Sequence, residues 1–70
     1  MQTLDLHGVK HEIAERKIED FILVNELPIR IITGNSLTMK NMVKHIVQKY
    51  DYCSEIENHY NLGSFIIRER

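Results

Sequence analysis

The stretch Ile29-Arg30-Ile31-Ile32-Thr33-Gly34 decides the fold of this 70-residue chain. A nearly continuous run of β-branched residues is typical of a strand that is buried on both faces, as in a parallel β-α-β unit. Gly34 ends the run, and Gly34-Asn35-Ser36 predicts a turn. If this strand belongs to such a unit, a helix and an earlier strand must precede it.

Both expected elements lie upstream. From Lys10 to Glu26 the apolar residues recur at helical spacing and form one stripe, made of Ile13, Ala14, Ile18, Phe21 and Ile22. Before that helix, residues 3–7 alternate, so that Leu4 and Leu6 share one face of a strand while Thr3, Asp5 and His7 share the other. Gly8 then frees the backbone to turn.

The two strands are expected to be parallel, because nearly all crossovers of this kind are right-handed. Their carboxyl ends then lie at the same edge of the sheet, where open α/β sheets tend to bind ligands. His7-Gly8 and Thr33-Gly34 are both predicted to lie at that edge.

Downstream of the turn, the sequence predicts a second helix and two more strands. The helix has one apolar stripe and either Ser36 or Thr38 as its cap, and the stripe consists of Met39, Met42, Val43, Ile46, Val47 and Tyr50. The third strand is expected over residues 53–60, a hairpin turn over 61–64 and the fourth strand over 64–68. On the third strand Ile56, Asn58 and Tyr60 would share a face.

The predicted order β-α-β-α-β-β is that of an α/β two-layer sandwich, with both helices on one face of a four-stranded mixed sheet. Seventy residues suffice for one domain, 1–70, whose small core would gain from pairing in a homodimer. No apolar run is long enough for a membrane span, and no signal-peptide pattern is present. With the single Cys53, these features lead us to expect a cytoplasmic protein without a membrane partner.

The charge pattern allows a local contact with nucleic acid, but it argues against a protein that coats nucleic acid through its overall positive charge. The formal net charge is −1. One face of the second helix is nevertheless basic, and it carries Lys40, Lys44, His45 and Lys49. Such a face can contact a phosphate backbone, or it can simply be solvated.

Asp5 and His7 are the first candidates for chemistry. On a strand their Cα atoms lie roughly 6.6 Å apart, which is long for a direct hydrogen bond and suits two groups that address one phosphodiester. An imidazole can move a proton in either direction near neutral pH. Alternatively, Asp5 accepts a hydrogen bond from a neighbouring turn and His7 is an exposed residue at the end of the strand.

The turn at Thr33-Gly34-Asn35-Ser36 is the second candidate. A glycine turn before a helix offers backbone N–H groups to a phosphate, and the scissile phosphate is expected between His7 and the Gly34 and Asn35 amides. An ordinary turn with a serine cap is the alternative. His11 could join Asp5 and His7 as ligands of a zinc ion, but Gly8 interrupts the helical phase between the two histidines. The sequence therefore predicts no metal ligand and no resident cofactor. Whether activity needs a divalent metal is left open.

These landmarks together resemble the Smr domain, the small MutS-related family. The family's first signature is a strand that reads LDLHG before a helix, which residues 4–8 match letter for letter. Its second is a strand that ends in T-G-x-G or H-G-x-G, of which Thr33-Gly34-Asn35 matches the first half. Asn61-Leu62-Gly63 is similar to the family's last hairpin. The resemblance covers essentially the whole chain in the right order.

The resemblance implies a two-layer fold similar to the C-terminal domain of translation initiation factor three. It also implies binding of RNA or DNA, often with endonuclease activity that nicks DNA or cleaves RNA, in some members on stalled or collided ribosomes. The residues that the family ties to activity fall on Asp5 and His7, as the catalytic pair. The predicted nucleic-acid-binding residues are Gly8, Lys10, His11, Thr33, Gly34, Asn35, Ser36, Lys40 and Lys44.

One departure from the family pattern bears on activity. Ser36 stands where the second glycine of T-G-x-G is expected, and its side chain either blocks a phosphate or replaces a backbone contact with a hydroxyl. Three functions therefore stay open: an endonuclease, a non-catalytic RNA- or DNA-binding module, and a protein-interaction module. Because the chain is a bare domain, a ribosome or a larger protein assembly is an expected partner.

Overall fold

A computed structural model describes residues 1–58 and 62–70. The elements follow the predicted order β-α-β-α-β-β. They are β1 (Gln2–Asp5), α1 (His11–Val24), β2 (Ile29–Ile32), α2 (Leu37–Lys49), β3 (Tyr52–Ile56) and β4 (Ser64–Glu69).

The four strands form one mixed sheet in the order β1-β2-β4-β3. β1 runs parallel to β2, with Asp5 opposite Ile32, and β4 runs antiparallel to both β2 and β3. The predicted fold class is confirmed. The parallel pair places the carboxyl ends of β1 and β2 at one edge of the sheet, and both following helices begin there.

The core lies between the sheet and the two helices. Alternate residues of the central strands β2 and β4 face the helices, which bury Ile29, Ile31, Phe65 and Ile67. The helices meet them with Ala14, Ile18, Ile22, Met39, Val43, Ile46 and Val47. At roughly 25 cal/mol per Å² of apolar surface, this burial is the main force that holds the elements together.

Several element boundaries differ from the sequence predictions. Ile13 was assigned to the apolar stripe of α1 but is 48% exposed, since the buried positions follow the i, i+4 row of Ala14, Ile18 and Ile22 on the side of the sheet. β3 ends at Ile56, before the predicted boundary. Tyr60 and Asn61, which were assigned to the third strand and the hairpin turn, lie outside the described residues. In the described part of the chain, neither helix has the length and apolarity to cross a bilayer.

Candidate nucleic-acid interface

The first βα turn, residues 6–9, holds His7 at its exposed tip. Leu6 anchors the turn, because its side chain is buried and its N–H donates to the Ile32 carbonyl at 2.8 Å. The Val9 N–H closes the turn on the Leu6 carbonyl at 3.0 Å. Gly8 occupies the third position with a φ of 76°, a left-handed conformation that a type II turn requires there. His7 is therefore displayed to solvent by a turn with a fixed backbone.

Asp5 supports the same turn from the strand side. Its Oδ1 accepts a hydrogen bond from the backbone N–H of His7 at 2.9 Å. This Asx-type contact ends β1 at Asp5 and bends the chain, whereas the sequence placed Asp5 and His7 on a continuous strand. The contact joins the Asp5 carboxylate to the His7 backbone, as in the alternative interpretation of the sequence.

The second βα turn, residues 33–36, is fixed by the residue that precedes β4, the strand that pairs with β2. The Gly63 carbonyl, at the start of β4, accepts hydrogen bonds from the Thr33 N–H at 2.6 Å and the Gly34 N–H at 3.1 Å. The Thr33 hydroxyl donates to the same oxygen at 3.2 Å. The Gly34 N–H therefore already has a buried backbone partner, and binding of a phosphate by this amide stays a prediction.

Gly63 makes this contact only because it has no side chain. A Cβ at Gly63 would lie 2.6 Å from the Gly34 carbonyl oxygen and 2.8 Å from the Gly34 Cα. Gly34 itself has a φ of 66° and open space where its Cβ would be. The two glycines thus meet different requirements: Gly63 allows close approach, and Gly34 allows the left-handed turn.

The start of α2 is capped by Ser36, as one of the two alternatives from the sequence predicted. The Ser36 Oγ accepts a hydrogen bond from the Met39 N–H at 3.1 Å. Thr38 lies inside the helix instead. In an α-helix the N–H groups of the first turn have no intrahelical partner, so those of Leu37 and Thr38 point toward this edge, next to the exposed Asn35.

The two helix starts meet at this edge of the sheet. The His11 Nε2, in the first residue of α1, lies 3.5 Å from the Ser36 Oγ. Lys10 precedes α1 and makes no side-chain cap, and a shallow depression beside it is lined by Gly8, Val9, Lys10, His11 and Glu12. We call the exposed surface formed by His7, Lys10, His11 and Ser36 the βα edge.

The lysines of the predicted basic face of α2 lie in different surroundings in the structure. The Lys44 Nζ lies 5.8 Å from the centroid of the Phe65 ring, and Lys44 lines a groove toward β3 with Cys53 and Arg70. Lys40 is half-buried in the first turn of α2, where its N–H donates to the Ser36 carbonyl at 3.0 Å. Of these two predicted binding lysines, only Lys40 therefore lies next to the βα edge.

Lys49 belongs to a contact between the helices. It donates to Glu19 Oε2 at 3.2 Å, and the Tyr50 hydroxyl donates to the same oxygen at 2.7 Å. The hydrogen bonds from Tyr50 and Lys49 hold the pKa of Glu19 below its usual value, and Glu19 in turn raises the pKa of Lys49. This ion pair offsets the charge of Lys49 where α1 packs on α2.

Within residues 1–58 and 62–70, no three His, Cys, Asp or Glu side chains come together as a ligand set for a metal ion. Asp5, His7 and His11 are thus close in sequence without forming such a set.

Two features of the interface were missed by sequence reasoning. Gly63 holds the second turn from 29 positions beyond Gly34, and His11 contacts Ser36 across 25 positions. No local pattern signals either contact. No family model, curated protein or solved structure matches the chain.

Proposed function

We propose that this chain is a nucleic-acid-binding domain that takes a phosphodiester backbone at the βα edge and cleaves it as an endonuclease. The observation that carries the proposal is the contact between His11 and Ser36, which brings the starts of both helices together. Beside it stand the exposed side chains of His7 and Lys10.

Phosphate suits this surface for electrostatic reasons. Each helix start carries the positive end of a helix dipole and N–H groups without intrahelical partners, and both favour an anion. Lys10 adds a full positive charge, and each imidazole adds one when it is protonated. Among the residues that line the depression, Glu12 carries the one carboxylate, and its charge is offset by that of Lys10.

His7 is the proton-transfer group in this proposal. It stands at the tip of the first βα turn, where a bound backbone reaches it from solvent. Asp5 then acts as a positioning residue, because its carboxylate is bonded to the His7 backbone and fixes the position from which the imidazole projects. In this proposal Asp5 is a positioning residue rather than a catalytic one, and Asp5 and His7 still act together.

A second candidate function is binding without cleavage. The Gly34 amide, which the nuclease hypothesis aimed at the scissile phosphate, is bonded to Gly63, and the Ser36 hydroxyl already caps α2. The first observation engages a donor that would stabilise the charge that develops at phosphorus in a cleavage reaction, and the second engages the Ser36 Oγ as an acceptor from the Met39 N–H. The helix dipoles, Lys10 and the imidazoles remain available to a bound backbone.

A cleavage and binding assay distinguishes these functions. Purified protein is incubated with labelled structured RNA, single-stranded RNA and duplex DNA, each with EDTA, Mg²⁺ or Mn²⁺. The variants are His7→Ala, Asp5→Ala and Lys10→Ala, and Lys17→Ala on the exposed middle of α1 is the matched control for lost charge. We expect cleavage that His7→Ala abolishes and Lys17→Ala retains.

The other possible results of this assay favour different conclusions. Salt-sensitive binding that Lys10→Ala weakens, without cleavage, supports the binding module. Cleavage that persists in His7→Ala contradicts the assigned site. Absence of binding to every polymer at low salt contradicts the proposed function and favours the protein-interaction module.

A further inference from the structure

The strand β3 has backbone groups that point away from the sheet. In the part of the chain that the structure describes, β3 is the outermost strand and pairs with β4 alone. The Glu57 N–H donates to the Ser64 carbonyl at 2.9 Å, and bonded pairs alternate along an antiparallel ladder. The N–H and C=O groups of Tyr52, Ser54 and Ile56 therefore point outward, where a further strand can pair with them.

A groove lies beside this edge, between α2 and the first half of β3. Its volume is about 420 Å³, and the residues that line it include Val47 and Gln48 of α2 and Tyr52 and Ser54 of β3. Ser54 pairs with Ile67, whose side chain is buried beneath the helices, so alternate side chains of β3 face α2. A strand added to β3 would direct every second side chain into this groove.

Two cationic side chains line the groove, one near each end of β3. The Lys44 Nζ lies 5.8 Å from the centroid of the Phe65 ring, and Phe65 is paired with Ile56 at the end of β3. Arg70 follows the residue that is paired with Tyr52 at the start of β3. Among the residues that line the groove there is no carboxylate. The groove therefore favours an anionic ligand.

Both cations keep most of their capacity for a ligand. The Arg70 Nη1 donates to Asp51 Oδ1 at 2.8 Å, but both side chains are exposed, and ion pairs of this kind are weak. A guanidinium has five N–H donors, so this contact orients Arg70 and leaves other donors available. Lys44 is exposed and rests against an uncharged ring, which leaves its charge unbalanced.

We propose that the β3 edge binds an acidic, extended segment of another protein, which adds to the sheet as a fifth strand. The backbone of the segment pairs with the outward groups of β3, and two of its carboxylates reach Lys44 and Arg70. The Cα atoms of Tyr52 and Ile56 lie roughly 13 Å apart, so the carboxylates belong to residues four positions apart on the added strand. This inference is independent of the proposed function, because neither cation belongs to the βα edge.

An acidic peptide fits this surface better than a second copy or a nucleic acid does. Pairing of two copies through β3 would bring a second Lys44 and Arg70 against the first pair, and like charges that face one another are destabilising. A phosphodiester backbone would match the two cations, but it has no alternating N–H and C=O groups to pair with the edge of β3.

The test measures binding of a blocked peptide with the sequence TDVTVDT to the whole chain. In an extended conformation its two Asp residues lie on one face, four positions apart, and the sequence reads the same in both directions. One control peptide carries Asn in place of both Asp residues. Another carries Pro at the central position, which removes an N–H that pairs with β3. Calorimetry measures affinity, and NMR measures amide hydrogen exchange.

The protein variants are Lys44→Gln and Arg70→Gln, and Lys17→Gln on the exposed middle of α1 is the matched control for lost charge. We expect each of the first two to weaken binding about threefold and the control to leave it unchanged. The Asn peptide should bind at least about tenfold more weakly, because both charge pairs are lost together. The Pro peptide should lose at least as much.

Hydrogen exchange tests the addition of a strand directly. In the complex the amides of Tyr52, Ser54 and Ile56 should exchange at least about tenfold more slowly. The amides of Cys53 and Glu55 should change little, since they already pair with β4. The amides of β1, at the other edge of the sheet, should also stay unchanged.

Several results overturn the inference without touching the βα edge. They are absence of peptide binding at millimolar concentration, equal affinity for the Asn peptide, and unchanged exchange at Tyr52, Ser54 and Ile56 in the complex. Displacement of the peptide from the groove by single-stranded RNA would assign the groove to nucleic acid instead. Slow exchange of the same three amides in concentrated free protein would assign it to a second copy.

Discussion

The two βα turns of this domain follow the same pattern, a strand followed by a glycine with positive φ, but their hydrogen bonds differ. The first turn is closed by its own residues, through Val9 to Leu6 and His7 to Asp5. The second turn depends on Gly63, which lies 29 positions beyond Gly34. A turn closed locally can display a side chain to solvent, whereas a turn bonded to a distant strand becomes part of the core.

The two similar turns are therefore expected to have different roles. The first turn presents His7, so substitutions there should change activity more than stability. The second turn joins β2 to β4 and caps α2, so substitutions there should change stability first. The predictions below test this division, beginning with the largest expected effect.

Gly63→Ala should destabilise the domain by about 3 kcal/mol, because the new Cβ overlaps backbone atoms that cannot move aside as a side chain can. Equilibrium unfolding in urea measures the change. Gly34→Ala is the matched control, and it should cost only about 1 kcal/mol, since its Cβ has space and only the positive φ is strained. Equal losses for the two variants would show that the close approach of the turns is not the cause.

Asp5 offers a test of positioning against direct chemistry. Asp5→Asn keeps an oxygen that can accept the His7 N–H, so cleavage should stay within about threefold of wild type, whereas Asp5→Ala should lose about a hundredfold through misplacement of His7. Initial cleavage rates at saturating RNA measure both. If Asp5→Asn is as inactive as Asp5→Ala, the carboxylate acts on the substrate directly.

Ser36→Ala should lower stability by about 1 kcal/mol, because the Met39 N–H loses its cap. Thr38→Ala serves as the control, since Thr38 lies within the first turn and is exposed. Its effect should stay within about 0.5 kcal/mol. Thermal unfolding followed by circular dichroism compares the two, and a larger loss for Thr38→Ala would contradict the assigned cap.

The β3–β4 end of the sheet should give the smallest effect, and the pH dependence of this effect should appear in acid. Hydrogen bonds from the Ser64 hydroxyl at 2.5 Å and the Arg30 guanidinium at 2.7 Å hold the pKa of Glu57 below its usual 4.5. The ionised form therefore stabilises the fold fully above pH 4.5, and this contribution is lost as the pH falls through the lower folded pKa.

Glu57→Gln should accordingly weaken the acid dependence of unfolding below pH 4.5 and make stability less dependent on pH there. Glu55→Gln is the control on β3, which ends just before Glu57, and the Glu55–Arg68 pair is exposed on both sides and contributes little. Urea titrations at pH 3 to 7 compare the two variants with wild type. If the free energy of unfolding falls identically with pH in acid for wild type and Glu57→Gln, the proposed contribution of Glu57 is contradicted.

The fold was predictable from the sequence because its signals are local. The isoleucine run of β2, the two amphipathic stripes and the alternation around Leu4 and Leu6 each require only a few neighbouring residues. The same rules missed the end of β1, because the Asp5 carboxylate competes with the strand for the His7 N–H. The same rules also predicted that Ile13 is buried, because the spacing of apolar residues does not show which side of the stripe faces the sheet.

The candidate site was predictable only in part. The sequence predicted that His7-Gly8 and Thr33-Gly34 lie at one edge of the sheet, because parallel strands end together. It could not show that Gly63 takes the Gly34 amide, since that contact depends on how β4 pairs with β2. Nor could helix periodicity show that α2 contributes Lys49 to an ion pair with Glu19 rather than to a free basic face.

The measurement that tests the central claim most directly is a titration of ¹⁵N-labelled protein with short single-stranded RNA and with duplex DNA, followed by amide chemical shifts. We predict that the largest shifts fall on residues 7–11 and 35–38, the backbone of the βα edge. Shifts confined to the groove between α2 and β3, around Lys44, Cys53 and Arg70, would contradict the account, and so would an unchanged spectrum at low salt.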